Sequence, residues 1–149
     1  MYDTILVPTD GSTAARNALE HAIDLAAAFD ARICGLYVVD IATYGSLGGY
    51  EPVVSHLNGA GREALSMVTR LANEAGIESR TELREGVAYR EINDYCAESG
   101  ADAIVMGPRG RSKLDRMLVG SVTERVVRTA DRPVIVVQQS EYRDYRRDR

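Results

Sequence analysis

A set of glycines at fixed spacing in the second half of the chain has the composition of a site for a polyanion. Gly107 and Gly110 follow an apolar run, and Gly120 and Ser121 come after nine further residues. Only glycine lets main-chain N–H groups approach a ligand without a Cβ in the way, and such groups donate well to phosphate oxygens. Gly120 also precedes a segment of helical spacing, so the free N–H groups and dipole of a helix would face the same anion. The spacing therefore predicts a phosphate-binding loop over residues 107–121.

The same residues also have a purely structural interpretation. Ser121-x-x-Glu124 matches a capping box, which a helix uses with no ligand present. Gly107 and Gly110 could form a tight turn. The two interpretations of Ser121 are compatible, because a hydroxyl can accept from a helix N–H group and donate to a phosphate.

Two common nucleotide-binding motifs do not occur in the sequence. There is no GxxxxGK[ST], and the first apolar run is followed by Thr9-Asp10-Gly11-Ser12 rather than GxGxxG. With no such lysine, no assigned base and no cationic finger, we expect phosphates to be held with at most slow hydrolysis. No carboxylate cluster accompanies the loop, so Mg²⁺ or Mn²⁺ would be held mainly by phosphate oxygens and water.

The loop needs a fold that brings the ends of several strands together. Short runs typical of strands alternate with segments of helical spacing, and these runs are residues 4–7, 33–39, 78–84, 103–106 and 133–137. One helix between each pair of strands predicts an α/β fold: a doubly wound, five-stranded parallel sheet with right-handed crossovers and helices on both faces. The pattern does not give the strand order. In the order 3-2-1-4-5, a ligand would bind at the carboxyl ends of strands one and four, residues 8–10 and 106–110.

The helix boundaries are predicted from capping residues and glycines. Ser12 is a candidate N-cap for the first helix, Gly76 and Gly100 would end the second and third, and the last would span about residues 121–130. Residues 40–59 contain several glycines and a proline, and we expect them to form a long loop.

The composition is that of one globular domain. The chain has 149 residues, 45% of them hydrophobic and 27% charged, with a net charge of -4 that argues against nonspecific binding to nucleic acid or anionic membranes. No apolar run reaches the roughly 20 residues that cross a bilayer, and the first residues lack the features of a signal peptide. Cys34 and Cys96 are isolated and predict buried, reduced thiols in a cytoplasmic protein. We expect a single domain over residues 1–139 and a frayed, charged tail over residues 140–149.

Taken together, these motifs resemble those of the universal stress protein family. Gly107-x2-Gly110-x9-Gly120-Ser121 is similar to that family's ATP-binding signature, and ILVPTDGS, YVVD and RPVIVV resemble its first, second and last strands. The resemblance covers the chain to about Gln139. It implies a Rossmann-like sheet in the order 3-2-1-4-5 that binds ATP, with ADP and AMP as alternatives. It also implies a homodimer paired through the fifth strand, from Pro133 to Val137.

The resemblance assigns roles position by position. Four residues of the first two strands would lie at the nucleoside end: Pro8, Thr9, Asp10 and Val38. Two residues would border the ribose: Met106 and Gly107. Six residues would surround the phosphates: Arg109, Gly110, Gly120, Ser121, Val122 and Thr123. A carboxylate repels phosphate, which suits Asp10 to the nucleoside end or to a helix cap, and the sequence leaves both roles open.

Other polar residues carry no comparable pattern. Within the basic cluster of the loop, only Arg109 is expected to screen phosphate charge, whereas Arg111, Lys113 and Arg116 are expected to be solvated. Three functions remain open. They are an ATP-binding stress-response module that signals through conformation and unidentified partners, a slow ATPase or autophosphorylating enzyme, and a nucleotide-free homodimeric interaction module.

Overall fold

The computed structural model describes residues 1–40, 50–109 and 119–138, so Gly110, the basic residues that follow it and the C-terminal tail fall outside the described residues. Within these ranges strands and helices alternate. The elements are β1 (Thr4–Pro8), α1 (Thr13–Phe29), β2 (Arg32–Asp40), α2 (Tyr50–Glu74), β3 (Ser79–Gly86), α3 (Ala88–Ser99), β4 (Ala103–Met106), α4 (Ser121–Thr129) and β5 (Val134–Val136).

The five strands form one sheet in the order β3-β2-β1-β4-β5, and all neighbours are parallel. This confirms the predicted fold class and the order implied by the resemblance. Central strand β1 pairs with β2 through Ile5 and Ile33, and with β4 through Ile5 and Ala103. Because β2 and β4 lie on opposite sides of β1, the winding of the chain reverses there and leaves a crevice at the carboxyl ends of these strands.

Alternate residues of each strand face two separate helix layers. On one face, Ile5 and Val7 of β1 pack in a cluster with α1 and α2. On the other face, Leu6 packs with Ile92 of α3 and Val126 of α4. All five side chains are almost completely buried, so the sheet is covered on both sides, as a parallel sheet requires.

The prediction of a long loop over residues 40–59 is wrong for its second half, because α2 begins at Tyr50. Residue types that usually interrupt helices are accommodated within α2. Pro52 lies in its first turn, where a missing N–H group costs no intrahelical bond. At Gly61, further along the helix, a Cβ would lie 2.7 Å from Tyr37 Cδ1 and 2.8 Å from Leu83 Cδ1. Glycine there lets α2 approach the sheet closely, which the sequence pattern does not reveal.

The other predicted helix ends are confirmed. Ser12 is the N-cap of α1, and its Oγ accepts a hydrogen bond from the N–H group of Ala15 at 3.1 Å. Gly76 and Gly100 follow α2 and α3 with φ values of 71° and 68°, in the left-handed region that favours glycine.

The last strand lies at an edge of the sheet. β5 spans three residues rather than the predicted five, but the chain pairs with β4 beyond both of its ends. Ile104 N–H donates to the carbonyl of Pro133, and Val137 N–H donates to the carbonyl of Met106, each at 2.9 Å. In the strand order, β4 is the neighbour of β5 on one side and no described strand lies on its other side.

Two further expectations concern burial and the membrane. Cys34 and Cys96 are exposed by only 2% and 5%, which confirms that both are buried. In the part of the chain that the structure describes, no helix combines the length and the apolar character needed to cross a membrane.

Candidate functional site

A cavity of about 250 Å³ lies at the carboxyl ends of β1, β2 and β4, where the strand order predicts a ligand site. Its walls are completed by the first turns of α3 and α4. Eleven of the twelve residues that the sequence singled out line it: Pro8, Thr9, Asp10, Val38, Met106, Gly107, Arg109, Gly120, Ser121, Val122 and Thr123. The twelfth, Gly110, lies outside the described residues.

The turn from β1 to α1 is held by its own side chains. Thr9 N–H donates to the carbonyl of Leu36 at 2.8 Å, which ties the end of β1 to β2. Thr9 Oγ1 accepts from Gly11 N–H at 3.1 Å, and Asp10 Oδ1 accepts from Ser12 N–H at 2.9 Å. One carboxylate oxygen of Asp10 therefore stabilises the turn, and the side chain still lines the cavity.

The start of α4 differs from the predicted capping box. Gly120 is the N-cap, and no side chain caps the helix. Ser121 is already the first helical residue, one position too late to accept from the N–H groups as a cap does. Glu124, the other half of the expected box, pairs instead with Arg128 at 2.7 Å.

Three backbone N–H groups at the start of α4 precede the first intrahelical hydrogen bond. That bond runs from Glu124 N–H to the carbonyl of Gly120 at 2.9 Å. The N–H groups of Ser121, Val122 and Thr123 therefore have no acceptor inside the helix. All three residues line the cavity, so the positive end of the helix dipole lies against it.

The glycines of the loop serve packing between protein segments. A Cβ on Gly107 would lie 3.1 Å from the backbone carbon of Ala14, and one on Gly120 would lie 3.0 Å from Arg109 Cα. Gly120 N–H also donates to the carbonyl of Pro108 at 2.7 Å. The prediction that these glycines open space for a ligand is thus refined, since in the structure they let the walls of the cavity approach one another.

A buried side chain joins α4 to the end of β4. Thr123 is 2% exposed, and its Oγ1 donates to the carbonyl of Gly107 at 2.9 Å. This bond fixes the first turn of α4 relative to the strand, so Thr123 positions the N–H groups of that turn.

Charge is distributed unevenly around the cavity. Asp10 and Asp40 line it after β1 and β2, whereas Arg109 and the start of α4 line it after β4. Since β2 and β4 lie on opposite sides of β1, the carboxylate of Asp40 and the cationic side chain of Arg109 belong to opposite walls. Such a cavity suits a ligand with an anionic end and a hydrogen-bonding end.

Sequence reasoning missed five residues of the lining: Ala15, Leu36, Asp40, Ala88 and Ile92. A signal existed for two of them, because Leu36 and Asp40 share one face of β2 with Val38 at the period of two residues. Ala88 and Ile92 had no such signal, since only the packing of α3 against the sheet places its first turns here. No group of three or more candidate metal-ligating side chains occurs among residues 1–40, 50–109 and 119–138.

Comparison with known proteins agrees with this architecture. The model of the universal stress protein family matches residues 1–138. The chain belongs to the universal stress protein family. It is 42% identical over 142 residues to universal stress protein MJ0531 of Methanocaldococcus jannaschii, covering 93% of this chain and 84% of that protein.

Solved structures of similar proteins share the fold. The structure of MJ0577, also from Methanocaldococcus jannaschii, has a TM-score of 0.79 and 30% identity over 92% of this chain and 96% of that chain. A universal stress protein in complex with cAMP has a TM-score of 0.62 and 26% identity over 93% of this chain and 98% of that chain. A nucleotide is therefore bound by at least one structural relative in this family.

Proposed function

We propose that the cavity binds ATP and that this cytoplasmic universal stress protein acts as a nucleotide-responsive signalling module with little or no turnover. The observation that carries the proposal is the start of α4, whose N–H groups lack a side-chain cap and line the cavity next to the end of β4. The nucleotide complex of a structural relative supports the same ligand class.

The phosphates would bind at the start of α4. The N–H groups of Ser121, Val122 and Thr123 can donate to phosphate oxygens, and the helix dipole adds attraction for an anion. The Ser121 hydroxyl can donate as well, because Ser121 lines the cavity. Arg109, which also lines the cavity, adds positive charge.

The nucleoside would bind toward β2. Pro8 and Leu36 are the last register pair of β1 and β2, so Val38 lies beyond the end of β1. By the alternation of a parallel ladder, its N–H and C=O groups point to the β1 side, where the base could pair with them. Asp10 and Asp40 line the cavity on this side, and their carboxylates repel phosphate. The uncharged nucleoside is therefore the part of the nucleotide expected near β2.

The proposal of little turnover follows from what lines the cavity. Among the described residues there is neither a lysine nor a histidine in the lining, and Asp10 already holds the β1–α1 turn. Phosphoryl transfer needs a positioned nucleophile and neutralisation of the developing charge. A Mg²⁺ or Mn²⁺ ion would arrive with ATP and be held mainly by its phosphate oxygens and water.

Calorimetric titration with ATP, ADP and AMP, combined with a steady-state assay of phosphate release, tests this proposal. We expect ATP to bind and phosphate release to stay far below ordinary enzymatic rates. Turnover at ordinary rates would overturn the proposal and favour an enzyme instead. No binding at millimolar nucleotide would favour a nucleotide-free interaction module.

We also propose that two copies of the chain form a homodimer through β5. This strand lies at an edge of the sheet, and its three apolar residues remain half-buried in the single chain. An edge strand of this kind offers unpaired N–H and C=O groups to another strand. Val127, on the neighbouring helix α4, is 52% exposed and could extend the contact.

A single substitution can test pairing through β5. The bonds of Pro133 and Val137 to β4 imply that Val136 N–H faces away from β4. Val136→Pro removes that outward donor while sparing the bonds to β4, and Val136→Thr is the control that keeps it. Sedimentation analysis should show a dimer for the control and a monomer for the proline variant; a dimer in both would exclude this interface.

A further inference from the structure

A second groove, of about 670 Å³, lies near the starts of β2 and β3, at the opposite end of these strands from the cavity described above. Cys34 is the register partner of Arg80, and Leu36 is that of Glu82. Register partners point to the same face of a parallel sheet, so Arg80 and Glu82 lie on the side that α3 covers. The groove is therefore a charged gap between β3 and the end of α3.

The acidic side chains of the groove form ion pairs with one arginine. Arg84 forms ion pairs with Glu98 and, at 3.4 Å, with Glu82, and both carboxylates line the groove. Arg84 also lies 3.6 Å from Glu91 and 4.8 Å from the centre of the Tyr95 ring, over its face. This network holds the negative charge of Glu82 and Glu98 against Arg84.

Two other arginines of the groove have no such partner. Arg32 donates from Nε to Thr4 Oγ1 at 3.0 Å, a neutral acceptor, which leaves its two terminal nitrogens. Within the described residues, neither Arg32 nor Arg80 forms an ion pair. Both arginines line the groove together with Cys34, and the charges of both act on its thiol, as does the opposite charge of Glu78.

The Cys34 thiol is within reach of charges of both signs. Burial raises the pKa of Cys34 and the charge of Glu78 adds to the rise, while a hydrogen bond from Tyr95 and the charges of Arg32 and Arg80 oppose it. Burial likewise raises the pKa of Tyr95 to about 12, so its hydroxyl remains protonated at neutral pH. Thiol and hydroxyl are both neutral, and neither balances the two arginines.

We propose that this groove binds a small oxyanion between the guanidinium groups of Arg32 and Arg80, with inorganic phosphate as the reference ligand. The planar guanidinium matches the geometry of an oxyanion and can donate two hydrogen bonds to it. Thr81 also lines the groove, but its register partner is Gly35, so its side chain points to the opposite face of the sheet. This site is separate from the proposed nucleotide cavity and shares no lining residue with it.

Nuclear magnetic resonance of the ¹⁵N-labelled protein, titrated with phosphate against sodium chloride of equal ionic strength, tests the proposal. We expect the Nε–H signals of Arg32 and Arg80 and the amide signals of Cys34 and Thr81 to shift in a saturable way. Saturating ATP should leave these shifts in place, which separates the groove from the nucleotide cavity. Shifts confined to residues 119–123, or none at tens of millimolar phosphate, would overturn the proposal.

Substitutions sharpen the result. Arg80→Gln should weaken phosphate binding about tenfold, because it removes one charge-assisted donor group. Arg70→Gln is the matched control, since Arg70 is an exposed arginine of α2 paired with Glu74 and lies outside the groove. Glu98→Gln should strengthen binding several-fold, because it removes a negative charge from the groove. Equal affinities in the Arg80 and Arg70 variants would also overturn the proposal.

Discussion

The starts of α1 and α4 make an instructive comparison, because both helices follow neighbouring strands and both lie at the same cavity. At α1, Ser12 caps the helix and Asp10 holds the turn before it. At α4 no side chain caps the helix, and Gly120 occupies the capping position. At α1, a side chain of the protein accepts a hydrogen bond from the first turn. At α4, the N–H groups of the first turn have no side-chain acceptor and lie beside the cavity.

The difference depends on one position in the sequence. Ser12 stands before its helix, where its hydroxyl reaches an N–H group of the first turn, while Ser121 stands inside α4 and does not. The charged residues of the cavity differ in the same way. The acidic Asp10 lies before α1, whereas the basic Arg109 lies between β4 and α4. Two similar strand–helix connections therefore present opposite electrostatics to one ligand site.

The largest effect is expected from Gly120→Val. A Cβ at this position would lie 3.0 Å from Arg109 Cα, so the backbone of residues 108–109 must move away from the start of α4. We expect ATP affinity, measured by calorimetry, to fall about 100-fold as the phosphate donors lose their arrangement. Gly59→Val is the control, because a Cβ there meets nothing within 4 Å. Unchanged affinity in the Gly120 variant would mean that the phosphates bind elsewhere.

A smaller effect is expected from Thr123→Val, which keeps the shape of the side chain and removes its hydroxyl. The buried carbonyl of Gly107 then loses its hydrogen bond, and the free energy of unfolding should fall by about 1–3 kcal/mol in urea denaturation. Thr129→Val is the matched control in the same helix. Its hydroxyl accepts from Asn93 and donates to the carbonyl of Arg125, but both bonds are exposed to solvent, so their loss should cost less than about 0.5 kcal/mol. Equal losses would show that the contact between Thr123 and Gly107 does not hold α4 in place.

Ser12→Ala tests the N-terminus of α1, which Ser12 caps. Loss of the N-cap should lower the free energy of unfolding by about 1 kcal/mol, measured by urea denaturation. ATP affinity should not change, because Ser12 does not line the cavity. A tenfold loss of affinity in this variant would contradict the division between the two helix starts.

Ser121→Ala should give the opposite result and the smallest effect. Unfolding should be unchanged, since Ser121 does not cap α4. Loss of one hydroxyl donor should weaken ATP binding about fivefold, equivalent to about 1 kcal/mol, in the same calorimetric assay. A change in stability with unchanged affinity would reverse the assigned roles of Ser12 and Ser121.

Several strand and helix boundaries could be predicted from short stretches of the sequence. The sequence predicts the strand from Ala103 to Met106 with its observed bounds, and it marks Ser12 and Gly100 as helix ends. Such features depend on side chains and backbone angles within a few residues, which the sequence displays directly. The start of α2 at Tyr50 escapes this kind of prediction because glycine and proline favour loops locally. Further along the helix, Leu57 packs against the cluster that contains Tyr37, a tertiary contact that the local pattern does not show.

The sequence by itself determined the alternation of strands and helices and the residue types that follow β1 and β4. Through the motif it also pointed to the family, and the comparison with known proteins confirmed that membership. Only the tertiary structure decided what the glycines do, because the distance from Gly120 to Arg109 depends on how α4 docks against β4. It likewise decided that Ser121 lies inside the helix, since α4 begins where Gly120 bonds to Pro108. A motif records which groups are present, whereas packing determines whether their hydrogen bonds are used within the protein or remain for a ligand.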